Sequence, residues 1–142
     1  MHSFRIIPEL ALALSCLLAT VSSVAEAPPD LQRLIDSGQC PQCDLAGADL
    51  SGMRLMSANL SGANLQGANL QGADLTSADL NHANLANGLL ESTIVTEARF
   101  SGAFIGGSSF INTRGLVDKQ LYETRSYVDK NLVGVNFEAM DL

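Results

Sequence analysis

The sequence predicts an all-β solenoid, a four-sided coil of short strands with twenty residues per turn. Three observations carry this. A large apolar residue recurs every five positions, at Leu45, Leu50, Leu55 and onward through Leu90, Val95, Phe100 and Ile105 to Phe110. Two residues before each sits a small one, from Cys43 and Ala48 to Ala103 and Ser108, with Met53 the exception. The residue between them is mostly Asn or Asp, and the two after the large residue are rich in Gly, Ser, Gln and Asn.

Small, polar, large is the in–out–in alternation of a short strand. The following pair is turn chemistry, with Gly supplying backbone angles that other residues resist. If each turn bends the chain by about a right angle, four repeats close a coil, a period at the lower edge of known solenoids. Stacked coils would then lie ~4.8 Å apart. Leu65 and Leu85 should stack in the core, Asn64 beside Asn84 on a face, Arg54 beside Asp74, and Asp79 beside Arg99. A helix does not fit, because five residues rotate it by about 500° and scatter the leucines around the barrel. A disordered Ala/Asn/Gly tract does not fit either, because the apolar positions keep phase while the intervening letters vary.

The amino terminus reads differently. Residues 1–25 have the order of a secretory signal: one positive side chain at Arg5, an apolar run from Leu10 to Val21, and Ser23-Val24-Ala25 as a small-x-small cleavage site. The run is shorter than the ~20 residues of a membrane span. Cleavage after Ala25 leaves 14 acids and 7 bases, a net charge near −7. Such a surface lacks the Lys/Arg patch that nucleic acid needs. With Trp absent and aromatics at 5%, stacking platforms for single strands are missing as well.

The repeated A(D/N)LxG pattern resembles the pentapeptide-repeat family from Cys40 to Ile111. The resemblance implies a right-handed quadrilateral β-helix. It further implies a rigid interaction surface without known activity, of the exported cyanobacterial type that enters the periplasm or thylakoid lumen. Some similar family members are acidic and block topoisomerases by imitating DNA, which makes such inhibition the alternative function.

A solenoid needs covered ends. Residues 26–39 read as an N-terminal capping helix, with Asp30 as its cap, Leu31, Leu34 and Ile35 as one apolar face, and Gly38 as its stop. The β-helix should occupy 40–142, interrupted by a helix near 117–126 that bulges from one corner. Leu132, Phe137 and Leu142 then recover the five-residue spacing. Similar pentapeptide-repeat proteins often place Thr before this helix; Val117 stands there in this chain, which implies a weaker cap.

Cys40-Pro41-Gln42-Cys43 is the sharpest local motif. Cys40 falls in a large inward slot and Cys43 in a small one. A disulfide, a reduced buried pair, a redox dithiol and part of a zinc site are the alternatives. Zinc needs about four ligands, and the mature chain offers only these two Cys and a distant His82. A redox dithiol would sit at a helix start, whereas repeat follows here. Similar exported family members carry CPxC where the repeat begins, which implies a structural role. No nucleophile elbow, phosphate loop or paired carboxylates appear, so neither catalysis nor a metal or other cofactor is expected. Leu89, Ile94 and Phe104 stand in outward slots that earlier repeats fill with Asn, Asp or Arg. Either the carboxyl-terminal helix folds over them or they mark a protein-partner surface. The partner itself is unspecified, and a monomer or weak oligomer is expected.

Overall fold

The computed structural model describes residues 27–138; the signal reading and the expectation for Leu142 lie outside them. Helix α1 spans Pro29–Ser37, with Pro at its start, where the missing N–H costs nothing. Gly38 ends it at φ 65°, donating its N–H to the Leu34 carbonyl. Leu34 is buried and Leu31 packs against the core, but Ile35 is 52% exposed, so the expected apolar face is narrower. Asp30 is not the N-cap. It lies in the first turn, and its carboxylate accepts the Asp44 N–H at 2.8 Å, tying α1 to the first coil.

From Gln39 onward the chain coils with a period of twenty, and parallel bridges pair each outward residue with its equivalent one coil on. Face 1 carries Gln39, Asn59, Asp79 and Arg99; face 2, Asp44, Asn64, Asn84 and Phe104; face 3, Asp49, Asn69, Leu89 and Ser109; face 4, Arg54, Asp74, Ile94 and Arg114. Each face contributes a single bridged residue, because the five-residue unit uses two of its residues to turn the corner. Leu45 to Phe110 at the five-residue spacing are all buried, as are the small residues from Ala58 to Ala83.

A count of N–H groups explains the repeat's composition. In the unit around Leu65, Asn64 donates down to the Cys43 carbonyl, while Leu65 and Gly67 donate up to Asn84 and Ala86. Ala68 closes the corner onto the Leu65 carbonyl. The fifth N–H, on Gln66, is accepted by the Asn64 side chain. The same bond recurs from Ser61 to Asn59, Thr76 to Asp74 and Asn81 to Asp79. Asn and Asp interchange because both offer Oδ1, and this local bond is the reason for the polar slot. Three inward small slots hold hydroxyls instead of Ala. Thr93, Ser108 and Thr113 each donate to a leucine carbonyl one coil back, at Leu70, Leu85 and Leu90.

The second corner residue has positive φ throughout, in Gly67 and Gly72 but also in Gln42, His82 and Asn87. The larger of these lean onto the glycine of the next coil: Gln42 onto Gly62, His82 onto Gly102 and Asn87 onto Gly107. At Gly102 the φ of 68° favours glycine, although the corners at Gln42 and Asn87 hold other residues, and the space taken by the His82 ring requires it. Gly102→Ala is expected to destabilise by about 1–3 kcal/mol, and adding His82→Gly should recover part of that loss. Thermal midpoints of the single and double variants measure it; equal loss in both would remove the imidazole from the account.

After Arg114 the coil gives way to two short helices, α2 (Asp118–Tyr122) and α3 (Arg125–Val128), in place of the one helix predicted. They lie on the end of the stack. Glu123 accepts from Gly102, Arg125 donates to the Ala103 carbonyl, and the buried Ser126 hydroxyl accepts from Ile105. Gln120 is buried, and its amide donates to both Val95 and Ala98 carbonyls, at 3.0 and 2.7 Å. Val117 offers no side-chain oxygen to cap α2, so only the return half of a capping box forms, with Gln120 accepting the Val117 N–H. The rhythm resumes where Asn136 bridges Ser109 and Phe137 stacks on Phe110, ring centroids 5.5 Å apart. Leu132 is half-buried against the core.

Candidate interaction surfaces

Cys40 and Cys43 are both buried in the first coil, one in a large slot and one in a small slot. The structure joins them as a disulfide, Cα atoms 5.3 Å apart. The Cys40 sulfur also lies 3.1 Å from the Asp30 carbonyl of α1, so the pair sits where helix and coil meet. Among the described residues no group of three or more His, Cys, Asp or Glu could hold a metal, and no helix is long and apolar enough to cross a membrane.

Leu89, Ile94 and Phe104 do not form one patch. They occupy three different faces, 3, 4 and 2 respectively. Leu89 is 40% exposed, while Ile94 and Phe104 are half-buried. The carboxyl-terminal helices do not lie over all three as a lid; the buried residues of α2, Gln120 and Leu121, turn to the end of the coil. The Phe104 ring lies over its own corner at Gly106, where a Cβ would meet it at 3.0 Å, and it shares a groove with Arg125 of α3. Ile94 and Phe104 offer no oxygen to the N–H two residues on, so the Thr96 and Gly106 N–H groups lose the acceptor that Asn or Asp would supply.

The polar slots form ladders. Asn64 donates to Asp44 at 2.9 Å and accepts from Asn84 at 3.3 Å; Asn69 donates to Asp49 at 3.2 Å. Arg99 pairs with Asp79 at 2.5 Å. The expected Arg54–Asp74 partners stack as bridge neighbours without a direct ion pair, and Arg54 acts on Asp74 only through its field. The Ser51 hydroxyl and N–H hold the Asp49 carboxyl below its ordinary 3.8, and those of Thr76 do the same for Asp74. At Glu91, burial pushes upward, but the Ser109 and Gln71 side chains and its own N–H outweigh it, and the carboxyl is lowered. The buried Ser109 hydroxyl makes no hydrogen bond of regular geometry, so Gln71, at 3.0 Å, is the firmer partner.

Groups with lowered folded pKa values stabilise the fold above their unfolded values, and that contribution disappears as pH falls through the folded ones. Thermal stability is therefore expected to fall on acidification below about pH 4.5. Asp74→Asn keeps the turn-bonding oxygen but not the charge, so it should lose less between neutral and acid pH than the parent chain. A larger loss in Asp74→Asn, read from melting curves at both pH values, would contradict the assignment.

Sequence reasoning missed an apolar cluster on the end of the stack. Tyr122 and Tyr127, with ring centroids 4.8 Å apart and planes tilted by 45°, line a cleft with Val128, Lys130 and Leu132. The signal was there, as Tyr122, Tyr127 and Val128 in a segment that breaks the five-residue rhythm, but nothing in the spacing showed which of them face outward.

These features define a four-sided parallel β-helix whose faces are ruled by polar ladders and whose carboxyl end is closed by side-chain and helical groups. The pentapeptide repeats model matches eight copies over residues 41–72, 54–91 and 73–114, and the chain belongs to the pentapeptide repeat family. Among solved structures, the pentapeptide repeat protein alr5209 of Nostoc Pcc 7120 is similar with a TM-score of 0.60 at 21% identity, covering 75% of this chain and 95% of that one. Rfr23 of the cyanobacterium Cyanothece 51142 gives 0.50 at 22%, covering 75% and 92%. A pentapeptide repeat protein of the Arabidopsis thaliana thylakoid lumen gives 0.43 at 27%, covering 84% and 92%. A search of curated proteins found no match. The coil is thus the right-handed quadrilateral β-helix of this family.

Proposed function

We propose that the protein is an exported, non-catalytic interaction module, a rigid post that presents ruled faces to another protein. Pentapeptide repeat proteins are in general structural modules. The observation that carries the reading is the replacement of the turn-bonding Asn or Asp by Leu89, Ile94 and Phe104. Each substitution removes the turn-bonding oxygen, at Ile94 and Phe104 leaving the N–H two residues on without that acceptor, and each places an apolar side chain on an outward face. Ile94 and Leu89 occupy adjacent faces and can meet one partner, with Phe104 around the next corner. A photo-crosslinking residue at 89 or 94 is expected to capture a protein in the native compartment, and the same residue at 69 or 74, one coil below, is expected not to. Equal capture from both coils, or none, would sink the assignment.

The amino-terminal pattern supports export with cleavage after Ala25, and the oxidised Cys40–Cys43 pair suits an oxidising compartment such as periplasm or lumen. Intact mass of the native protein, denatured without reductant, tests both. It should correspond to a chain starting at Glu26 and lacking two hydrogens. A mass retaining Met1, or two free thiols, would refute the respective half.

The acidic alternative, imitation of nucleic acid, finds less support. Asp44, Asp49, Asp74 and Asp79 lie one on each face, beside Asn or Arg rather than one another. That arrangement does not supply the unbroken row of charges that a duplex presents.

A further inference from the structure

Of the eight exposed large hydrophobic residues among the described residues, five lie at the carboxyl end: Val117, Tyr122, Tyr127, Val128 and Val133. Tyr122 and Tyr127 are 52% and 44% exposed and line a cleft of about 520 Å³. The segment is anchored from below by backbone bonds from Gly102 to Glu123 and from Arg125 to Ala103, so the cleft is preformed and does not have to be assembled on binding. Paired rings offer a large contact area with few rotatable bonds to freeze.

The charge around the cleft is distinctive. Residues 27–113 carry eight acids against three bases, whereas residues 114–138 carry four of each. Lys119 and Arg125 are paired with Glu123 and Asp129, but Lys130, at the edge of the cleft, makes no ion pair among the described residues. An acidic partner is repelled by the net negative charge of residues 27–113, whereas at this cleft it meets a lysine that no carboxylate of the described residues holds.

We propose that this cleft docks an extended acidic segment of a partner protein, its apolar side chain against Tyr122 and Tyr127 and its neighbouring carboxylate on Lys130. The proposal rests on the interaction-module reading but uses a different surface, so the two can fail separately. The chain has two tyrosines and no tryptophan, and both tyrosines line the cleft, so intrinsic tyrosine emission reports this site alone.

The test is a titration of the whole protein with two capped peptides, acetyl-Ala-Leu-Glu-Ala-amide and acetyl-Ala-Leu-Lys-Ala-amide, followed by tyrosine emission. The acidic peptide should give a saturable change and the basic one should bind at least about tenfold more weakly. Lys130→Glu should reverse that order, and Tyr127→Ala should abolish the response. Leu89→Asn, remote from the cleft, should leave it intact, whatever the crosslinking at 89 shows. Equal binding of both peptides, or no saturable change at millimolar peptide, would overturn the proposal. So would emission and sedimentation that change with protein concentration alone, since a second copy would then be the occupant. Unchanged far-ultraviolet circular dichroism in Lys130→Glu keeps its result from being a folding failure.

Discussion

Leu65→Ala is expected to destabilise the domain by about 2–5 kcal/mol. Leu65 is fully buried, with Leu45 one coil before it and Leu85 one coil after. The small neighbours Ala63 and Ala68 are also fully buried and cannot grow into the space. The coils cannot close on the cavity either, because Leu65 and Gly67 are hydrogen-bonded to the next coil at 2.7 and 2.8 Å. The adjacent Asn64→Ala is the internal comparison. A surface substitution usually changes stability by no more than ~0.5 kcal/mol. Here the side chain accepts from Gln66 and exchanges ladder bonds with Asp44 and Asn84. Its loss should therefore cost about 1 kcal/mol, the net worth of ordinary partly exposed hydrogen bonds. Urea midpoints of the two variants decide the matter. Equal destabilisation would mean that the in–out–in alternation is misassigned.

Gln120→Leu is expected to cost about 3 kcal/mol, the second large effect. Its amide satisfies two carbonyls at the end of the coil, Val95 and Ala98, and its oxygen accepts the Val117 N–H. Leucine has nearly the same size, so the substitution isolates the polar loss. A buried group left without its partner costs ~1–3 kcal/mol, and three groups lose theirs, with water reaching the outermost. The loss should be local as well as global: amide exchange should speed up over residues 116–128 before it does over the coils. A chain with unchanged stability and exchange would show that the end of the stack does not depend on this side chain. Gln120→Glu offers a graded check, because it keeps an acceptor for Val117 while presenting a negative charge to two carbonyls.

The repeat was legible because a solenoid repeats its environment. Every fifth residue meets the same core, so Leu60, Leu65 and Leu70 answer to one constraint, and the period survives changes in the intervening letters. The corner glycines were legible for the same reason, as was Gly38 at the end of α1. The slots of Cys40 and Cys43 followed directly from counting back from Leu45. The capping segments have no such redundancy. Each of their residues has a singular environment, which is why the exposure of Ile35, the role of Asp30 and the split of the second helical segment at Thr124 escaped the pattern.

By itself, the sequence determined the coil: its period, its inward and outward slots, and the stacking of each residue on the one twenty positions away. Those follow from local alternation and turn chemistry, which depend on neighbours in the chain. Only the tertiary structure decided how the coil ends and what its surface offers. It decided how far Leu89, Ile94 and Phe104 stand exposed on the faces that the period assigns them, because local packing sets that exposure, as where the Phe104 ring lies over Gly106. It brought Gln120 to Val95 and Ala98, and Tyr122 to Tyr127 beside Lys130. Those contacts depend on where an irregular segment crosses the open end of the stack, and no period in the sequence encodes that crossing.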